Sequence, residues 1–396
     1  MPEYVGGNRL TLLRSGEQYF PALAAAIDAA QREVFLETYI FADDQTGSLI
    51  ADALARAAAR GVATHLLIDG FGARDFAPRL RQNLIHAGVE VLVFRPDISP
   101  WRWRLRRTRL RRMHRKLACA DGAVAFVGGI NIIDDFDTPG HTPPRYDYAV
   151  RIEGPLSALV RAEAARLWNR VSWATLRRRW PGFRAGAGAA RREPTAARSP
   201  DPGAQRAALV VRDNVRHRRD IEQAYLEQIE AAREEVVIAS AYFFPGRRFR
   251  RALAGAAARG VRVTLLLQGR VEYVLLHYAS RALYGSLLAG GVAIQEYHHS
   301  FLHAKVAVFD RRVASVGSSN IDPFSLLLAR EANLFVDDVR FAAELRASLL
   351  EAIERGARAV PLRGWKRASL WLRVRIWVGY GIARLLMAVY GYDRFH

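Results

Sequence analysis

The sequence predicts an α/β fold built twice in one chain, with apolar strands alternating with helices that cover both sheet faces. Three observations carry this. The order of helical and strand-like segments repeats with an offset of about 200 residues, too long a period for a solenoid. The same polar motif closes each copy. Between the copies, Pro181 to Arg206 is dominated by Ala, Gly, Pro and Arg and has no hydrophobic period, as expected of a linker or mobile loop. The chain therefore divides into a first half (1–180), a linker (181–206), a second half (207–362) and a C-terminal segment (363–396). Its 396 residues also exceed the usual size of a single domain.

The elements pair off in order. Pro21–Gln31 reads as a helix leading into the apolar run Val34–Phe41, and Ile221–Arg233 as one leading into Val236–Phe244. Ala-rich helices then end at Ala57-Ala-Ala-Arg-Gly-Val62 and Ala256-Ala-Ala-Arg-Gly-Val261, where each Gly suits the left-handed position after a helix. Buried-strand patterns follow at His65–Asp69 and Val263–Gln268. A further helix ends at Gly88 and at Gly291, before the short strands Val91–Phe94 and Ala293–Tyr297.

Composition bounds the function. Half the residues (51%) are hydrophobic, enough for large cores. Lys and Arg number 59 against 39 Asp and Glu, and the net charge of +20 predicts attraction to nucleic acid, an acidic membrane or a phosphorylated substrate. Cys119 is the single cysteine, which excludes an internal disulfide and a Cys-based zinc site and fits a reducing compartment. Within its strand it reads as a core residue. The N-terminal residues carry no pattern of a secretory signal. No run of 18 apolar residues argues for a simple membrane span.

The repeated motif is His-x-Lys-x4-Asp. His114, Lys116 and Asp121 are followed by Gly128, Gly129 and Asn131; His303, Lys305 and Asp310 by Gly317, Ser318 and Asn320. Each copy reads as a strand, a turn at the Asp and a returning strand. Residues two apart on a strand share a face, so each histidine points the same way as its lysine. A neutral histidine can attack phosphorus and a charged one can protonate a leaving oxygen, because the free pKa is about 6.5. The lysines supply fixed positive charge to the phosphoryl oxygens, and Asn131 and Asn320 add neutral donors. A covalent phosphohistidine divides the displacement into two steps and lets one acceptor replace another. Asp121 and Asp310 complete the motif, but at hairpin positions they suit turn formation at least as well as chemistry. The arrangement calls for no metal or other cofactor, and no HExxH or carboxylate-rich metal motif occurs.

The paired motifs resemble the phospholipase D superfamily, and over almost the whole chain the bacterial cardiolipin synthases, above all the shorter B type. Gly16–Phe20, Leu36–Phe41, Arg111–Lys116, Phe126–Asn131 and Asp147–Pro155 carry the local likeness. The resemblance implies two halves packed about a pseudo-two-fold axis, one motif from each meeting in a single site. It implies His114 as nucleophile and His303 as general acid, with an acidic residue behind each histidine; Glu331 matches in the second half and Asp147 in the first. It further implies phosphatidyl transfer between two phosphatidylglycerols, at the cell (inner) membrane, peripheral or monotopic, on the cytoplasmic side.

Two segments bear on partners. Eight arginines lie between Arg102 and Arg115, interleaved with Trp103 and preceded by Trp101. They read as a solvated face, a contact for anionic lipid headgroups, or a nucleic-acid contact. Trp365–Tyr392 is rich in Trp, Leu, Ile and Tyr but broken by Arg373, Arg375 and Arg384. The preferred reading is an interfacial amphipathic segment; the alternative is a helix packed on the catalytic domain. The leading expectation is a phosphatidyltransferase acting on anionic phospholipid at a membrane surface, with no nucleic-acid partner. A phosphodiesterase or nuclease using the same site, or a silent binding module, are the alternatives.

Overall fold

The computed structural model describes residues 2–74, 76–96, 111–136, 138, 142–179, 203–213, 216–271, 274–322, 325, 329–362 and 370–389. Trp101, Trp103, the arginines from Arg102 to Arg109 and most of the linker lie outside the described residues.

The first half contributes β1 (Val5–Arg14), β2 (Glu33–Thr38), β3 (Ala63–Asp69), β4 (Glu90–Phe94), β5 (Lys116–Ala120), β6 (Val124–Gly128), β7 (Thr142–Tyr146) and β8 (Tyr148–Glu153). The second contributes β9 (Gln205–Arg212), β10 (Glu235–Ser240), β11 (Arg262–Gln268), β12 (Ala293–Tyr297), β13 (Ser300–Leu302), β14 (Lys305–Phe309), β15 (Val313–Gly317), β16 (Glu331–Asp337) and β17 (Ala357–Ala359). One sheet of 15 strands runs through both halves, in the order β17-β12-β11-β10-β14-β15-β16-β9-β1-β8-β6-β5-β2-β3-β4. Read outward from the central antiparallel pair β1/β9, seven strands on each side match, and the edge strand β17 has no counterpart among the described residues. A two-fold axis through that seam generates this palindrome. Each side is mixed: β2-β3-β4 and β10-β11-β12 are parallel, whereas β2/β5 and β10/β14 are antiparallel.

Each half keeps its own core on one sheet face, where the helices Ser15–Ala29 and Gln45–Ala59 cover β2 and β3, and Asp220–Ala231 and Arg247–Ala258 cover β10 and β11. A third cluster belongs to both halves, joining Leu12, Val127 and Val150 to Val306, Val316 and Leu345. Shared burial of this kind, worth roughly 1.5–3 kcal/mol for each large side chain, resists separation of the halves. Cys119 lies within this shared core, and burial pushes its thiol up to about 12.

Two expectations need correction. The first helix begins at Ser15, not Pro21, and holds Pro21 inside it. Proline favours a helix start, but here a buried face formed by Tyr19, Phe20 and Leu23 extends the helix across it. The strand β9 begins at Gln205, inside the last residues assigned to the linker, because its backbone pairs with β16 and β1.

The C-terminal helix Leu370–Val389 is packed on the second half along one face and exposed along the other. One face packs on the helix Val274–Arg281: Ile376 is buried, and Gly379 comes so close that a Cβ there would lie 2.9 Å from Tyr278 Cβ. Tyr380 meets Phe244 edge to face at 5.8 Å. The opposite face exposes Trp371, Val374, Val378, Ile382 and Leu385 in one stripe at helical spacing, with Trp377 beside it. Among the described residues no helix is long and apolar enough to cross a membrane.

Candidate active site

Both motif histidines sit at the end of the sheet where β2, β3, β10 and β11 finish, and each is clamped by the other half. The backbone N–H of His114 donates to Arg330 O at 2.9 Å, while Arg330 N–H donates to Arg112 O at 2.7 Å. His303 N–H donates to Tyr146 O at 2.9 Å, and β13 pairs with β7 in parallel just before it. Arg330 precedes Glu331 and Tyr146 precedes Asp147, so each clamp delivers a carboxylate to a histidine of the opposite half.

The result is a crossed pairing. His114 Nδ1 lies 3.0 and 3.2 Å from the two Glu331 oxygens, and His303 Nδ1 lies 2.6 Å from Asp147 Oδ2. Glu331 is itself held by the Ser318 hydroxyl, which donates to it at 2.5 Å. At the matching position Gly129 leaves room for Asp147, whose carboxylate a Cβ would approach to 2.4 Å. A carboxylate on Nδ1 fixes the tautomer and leaves Nε2 free to meet substrate.

Lys116 and Lys305 are buried beside their histidines, on the same strand faces. Lys116 Nζ donates to His114 O at 2.6 Å, and Lys305 Nζ lies 2.8 Å from His303 Nδ1 and 3.5 Å from Asp147. The electrostatics tie both halves into one site. Burial pulls Lys116 down to about 7, with Lys305 adding to the effect while Glu331 and Asp147 oppose it. Burial also lowers His114, aided by Lys116 and Lys305 against Glu331. His303 falls to about 3, through burial first and Lys305 second. Burial would raise Asp147, but Lys305 and His303 hold it below its ordinary value. Burial thus favours neutral histidines, while the two lysines face the two carboxylates Glu331 and Asp147.

Asn131 and Asn320 are buried just past β6 and β15. Asn131 Oδ1 accepts from Ile40 N–H at 3.3 Å, and Asn320 Oδ1 has no partner among the described residues. Asp121 and Asp310 are elsewhere. They stand at the far ends of β5 and β14, roughly 17 Å beyond the lysines by strand rise. Asp121 accepts the backbone N–H groups of Gln31, Arg32 and Glu33 at 2.8–2.9 Å. Asp310 does the same for Arg233, Glu234 and Glu235 at 2.8–3.1 Å. The motif aspartates are thus anchors of the strands β2 and β10 and do not reach the reacting groups.

Sequence reasoning missed three neighbours. The Tyr39 ring meets His114 edge-on at 4.8 Å and lies under Lys116 Nζ at 5.3 Å. Phe301 stacks on His303, and Arg145 stacks on Phe301. Tyr39 was hidden inside an apolar run, and nothing local marks the other two. Among the described residues no His, Cys, Asp and Glu side chains converge as a metal site.

The chain matches the family described as cardiolipin synthase, phospholipase D-like domain, over residues 23–168 and 225–353. It is 42% identical to cardiolipin synthase B of Escherichia coli K12 over 345 residues, 87% of this chain and 80% of that protein. Its identity to cardiolipin synthase B of Salmonella typhimurium is 40% over 366 residues, covering 91% of this chain and 85% of the relative. Among solved structures, phosphatidylserine synthase of Haemophilus influenzae superposes with a TM-score of 0.70 at 12% identity, covering 95% of this chain and 93% of that one. That last likeness concerns the fold; the two segments matched by the family coincide with the two halves that the palindromic sheet joins. This chain belongs to the cardiolipin synthase family of phospholipase D-like proteins.

Proposed function

We propose that this chain is a cardiolipin synthase, a phosphatidyltransferase that moves the phosphatidyl group of one phosphatidylglycerol to another through a phosphohistidine. The crossed His–carboxylate pairs supported by two buried lysines are the observation that carries this reading. His114 Nε2 attacks the phosphodiester phosphorus while Glu331 takes up the positive charge growing on the ring. His303 protonates the departing glycerol oxygen; its low proton affinity is raised by the bound phosphate anion. In the second step His303 removes the proton of the acceptor hydroxyl, its oxygen bonds to phosphorus, and the His114–P bond breaks. Lys116, Lys305, Asn131 and Asn320 bind the equatorial oxygens in both steps. Asp121 and Asp310 hold the scaffold.

The membrane supplies both substrates, and the surface suits it. The exposed stripe of the C-terminal helix carries Trp371, with Trp377 beside it, and tryptophans favour the lipid interface. Three residues after Phe244, which seats Tyr380, the helix Arg247–Ala258 begins with Arg247, Arg248 and Arg251 along a groove of about 600 Å³. Apolar stripe and basic groove together fit peripheral docking on an anionic bilayer, here placed at the cytoplasmic side of the cell membrane. The apolar stripe disfavours a nuclease, for which it has no use.

Purified protein in mixed micelles should convert labelled phosphatidylglycerol to cardiolipin and glycerol, and H114A should lower the rate by about 1,000-fold or more, as expected for loss of a nucleophile. DNA cleavage with inert lipid would overturn the assignment.

A further inference from the structure

Arg145 stands two residues before Asp147, and its guanidinium lies 5.3 Å from the centroid of Phe301. Phe301 stacks on His303, with centroids 6.0 Å apart and planes 21° from parallel. Arginine, phenyl ring and histidine thus form a column leading out from one end of the site. The Arg145 Nε is buried and has no hydrogen-bond partner among the described residues. The carboxyl group that acts on it is Asp135, which is engaged by the N–H of Gly16 and which burial raises to about 7. A guanidinium stacked on an aromatic ring, partly desolvated and, among the described residues, left without an ion-pair partner, is a receptor for an oxyanion.

The column is one-sided. By the register of β6/β8 and β15/β16, the position of Arg145 is taken in the other half by Ala329, and that of Phe301 by Arg112. Arg112 is not an equivalent receptor, because its guanidinium faces the buried Asp69 at 3.7 Å and also donates to Arg95 O. The two ends of a nearly symmetric site therefore differ in which anion they can hold.

The reaction needs such a difference. The phosphate undergoing transfer sits between the histidines, where Lys116 and Lys305 answer its charge. Alcohols leave and enter at His303. When the entering alcohol is itself a phosphatidylglycerol, it brings a second phosphate, one glycerol unit away from its hydroxyl. We infer that Arg145, on its Phe301 platform, binds the phosphate of the acceptor lipid and so forms an acceptor subsite separate from the place of the transferred phosphate. This rests on the transferase reading above, with His303 as the acid–base group. Arg145 makes and breaks no bond; it holds the acceptor so that its hydroxyl meets His303. Water, the competing acceptor, has no phosphate to bind.

The test compares products within each enzyme. In mixed micelles of phosphatidylglycerol, R145A should lower the ratio of cardiolipin to phosphatidic acid by about 10- to 100-fold, the range for one lost charge-assisted hydrogen-bonding group. The ratio of cardiolipin to the product of a neutral alcohol acceptor, such as ethanol, should fall similarly, and R145K should recover part of both. A pure packing role would lower transfer to phosphatidylglycerol and to ethanol alike. That result, or unchanged ratios in R145A, would overturn the subsite; R145K, keeping charge and bulk, decides the matter if R145A fails to fold. Wild-type protein that yields phosphatidic acid but no cardiolipin would overturn the transferase reading and the subsite together.

Discussion

At the scale of single residues, the chemistry depends on groups whose proton affinities are set by burial. His303 is the sharpest case, taken down to about 3 by burial and by Lys305. Between about pH 6.5 and 3 the unfolded chain binds a proton that folded His303 refuses, so stability is full above this window and falls as the pH drops through it. Asp147, held below its ordinary value, acts in the same direction at lower pH still, because protonating it removes its ion pairs. Unfolding titrations of wild type and H303Q should differ in slope over this window by at most about 1.4 kcal/mol per pH unit, the value for one proton. Equal slopes would show that His303 is protonated in the folded protein. Both histidines, both lysines and the asparagines were legible from the motif. Their carboxylate partners were not legible from spacing, since Glu331 lies 217 residues from His114 and Asp147 lies 156 from His303; only the family resemblance pointed to them. Arg145 and Phe301 left no signal, because an arginine and a phenylalanine far apart in sequence are unremarkable until folding stacks them.

At the scale of elements, hydrophobic period and glycine punctuation gave most helices and strands close to their observed bounds, but set the first helix late and ran β2 and β10 beyond their ends at Thr38 and Ser240. The two strands of the central seam were harder. β1 and β9 mix polar and apolar residues and owe their pairing to partners in distant parts of the chain. The hairpin aspartates show how an element can hide inside a catalytic motif. Asp121 adopts a left-handed φ of 56° and spends its carboxylate on three backbone amides. D121A should therefore destabilise the fold by about 1–3 kcal/mol in chemical denaturation, while turnover per folded molecule stays near wild type. A loss of turnover without loss of stability would return this aspartate to the chemistry. The C-terminal helix yields a separate expectation. W371S/W377S should weaken binding to anionic vesicles by about 10-fold or more, from the apolar surface removed, and spare turnover in micelles. Unaltered vesicle binding would place the membrane contact elsewhere.

At the scale of the whole molecule, one sheet and one shared core make the halves interdependent, and the site depends on them both. Residues 1–180 and 203–396 produced separately should each be inactive, since each lacks the carboxylate for its own histidine. Produced together they should recover measurable cardiolipin formation, with mixed pairs carrying H114A or H303A remaining silent. Activity in either fragment alone would contradict the crossed geometry.

That geometry also bears on descent. A half-length ancestor with one motif would have carried its histidine and its carboxylate pointing into different partners, so it could have worked only as a pair of identical copies. Joining the copies in one polypeptide removed the requirement that they stay identical. Asp147 against Glu331, Gly129 against Ser318, and the arginine column on one side alone are the differences such freedom permits. Under the proposed mechanism they would turn two interchangeable histidines into an attacking group and a proton carrier, each with its own history of substitution.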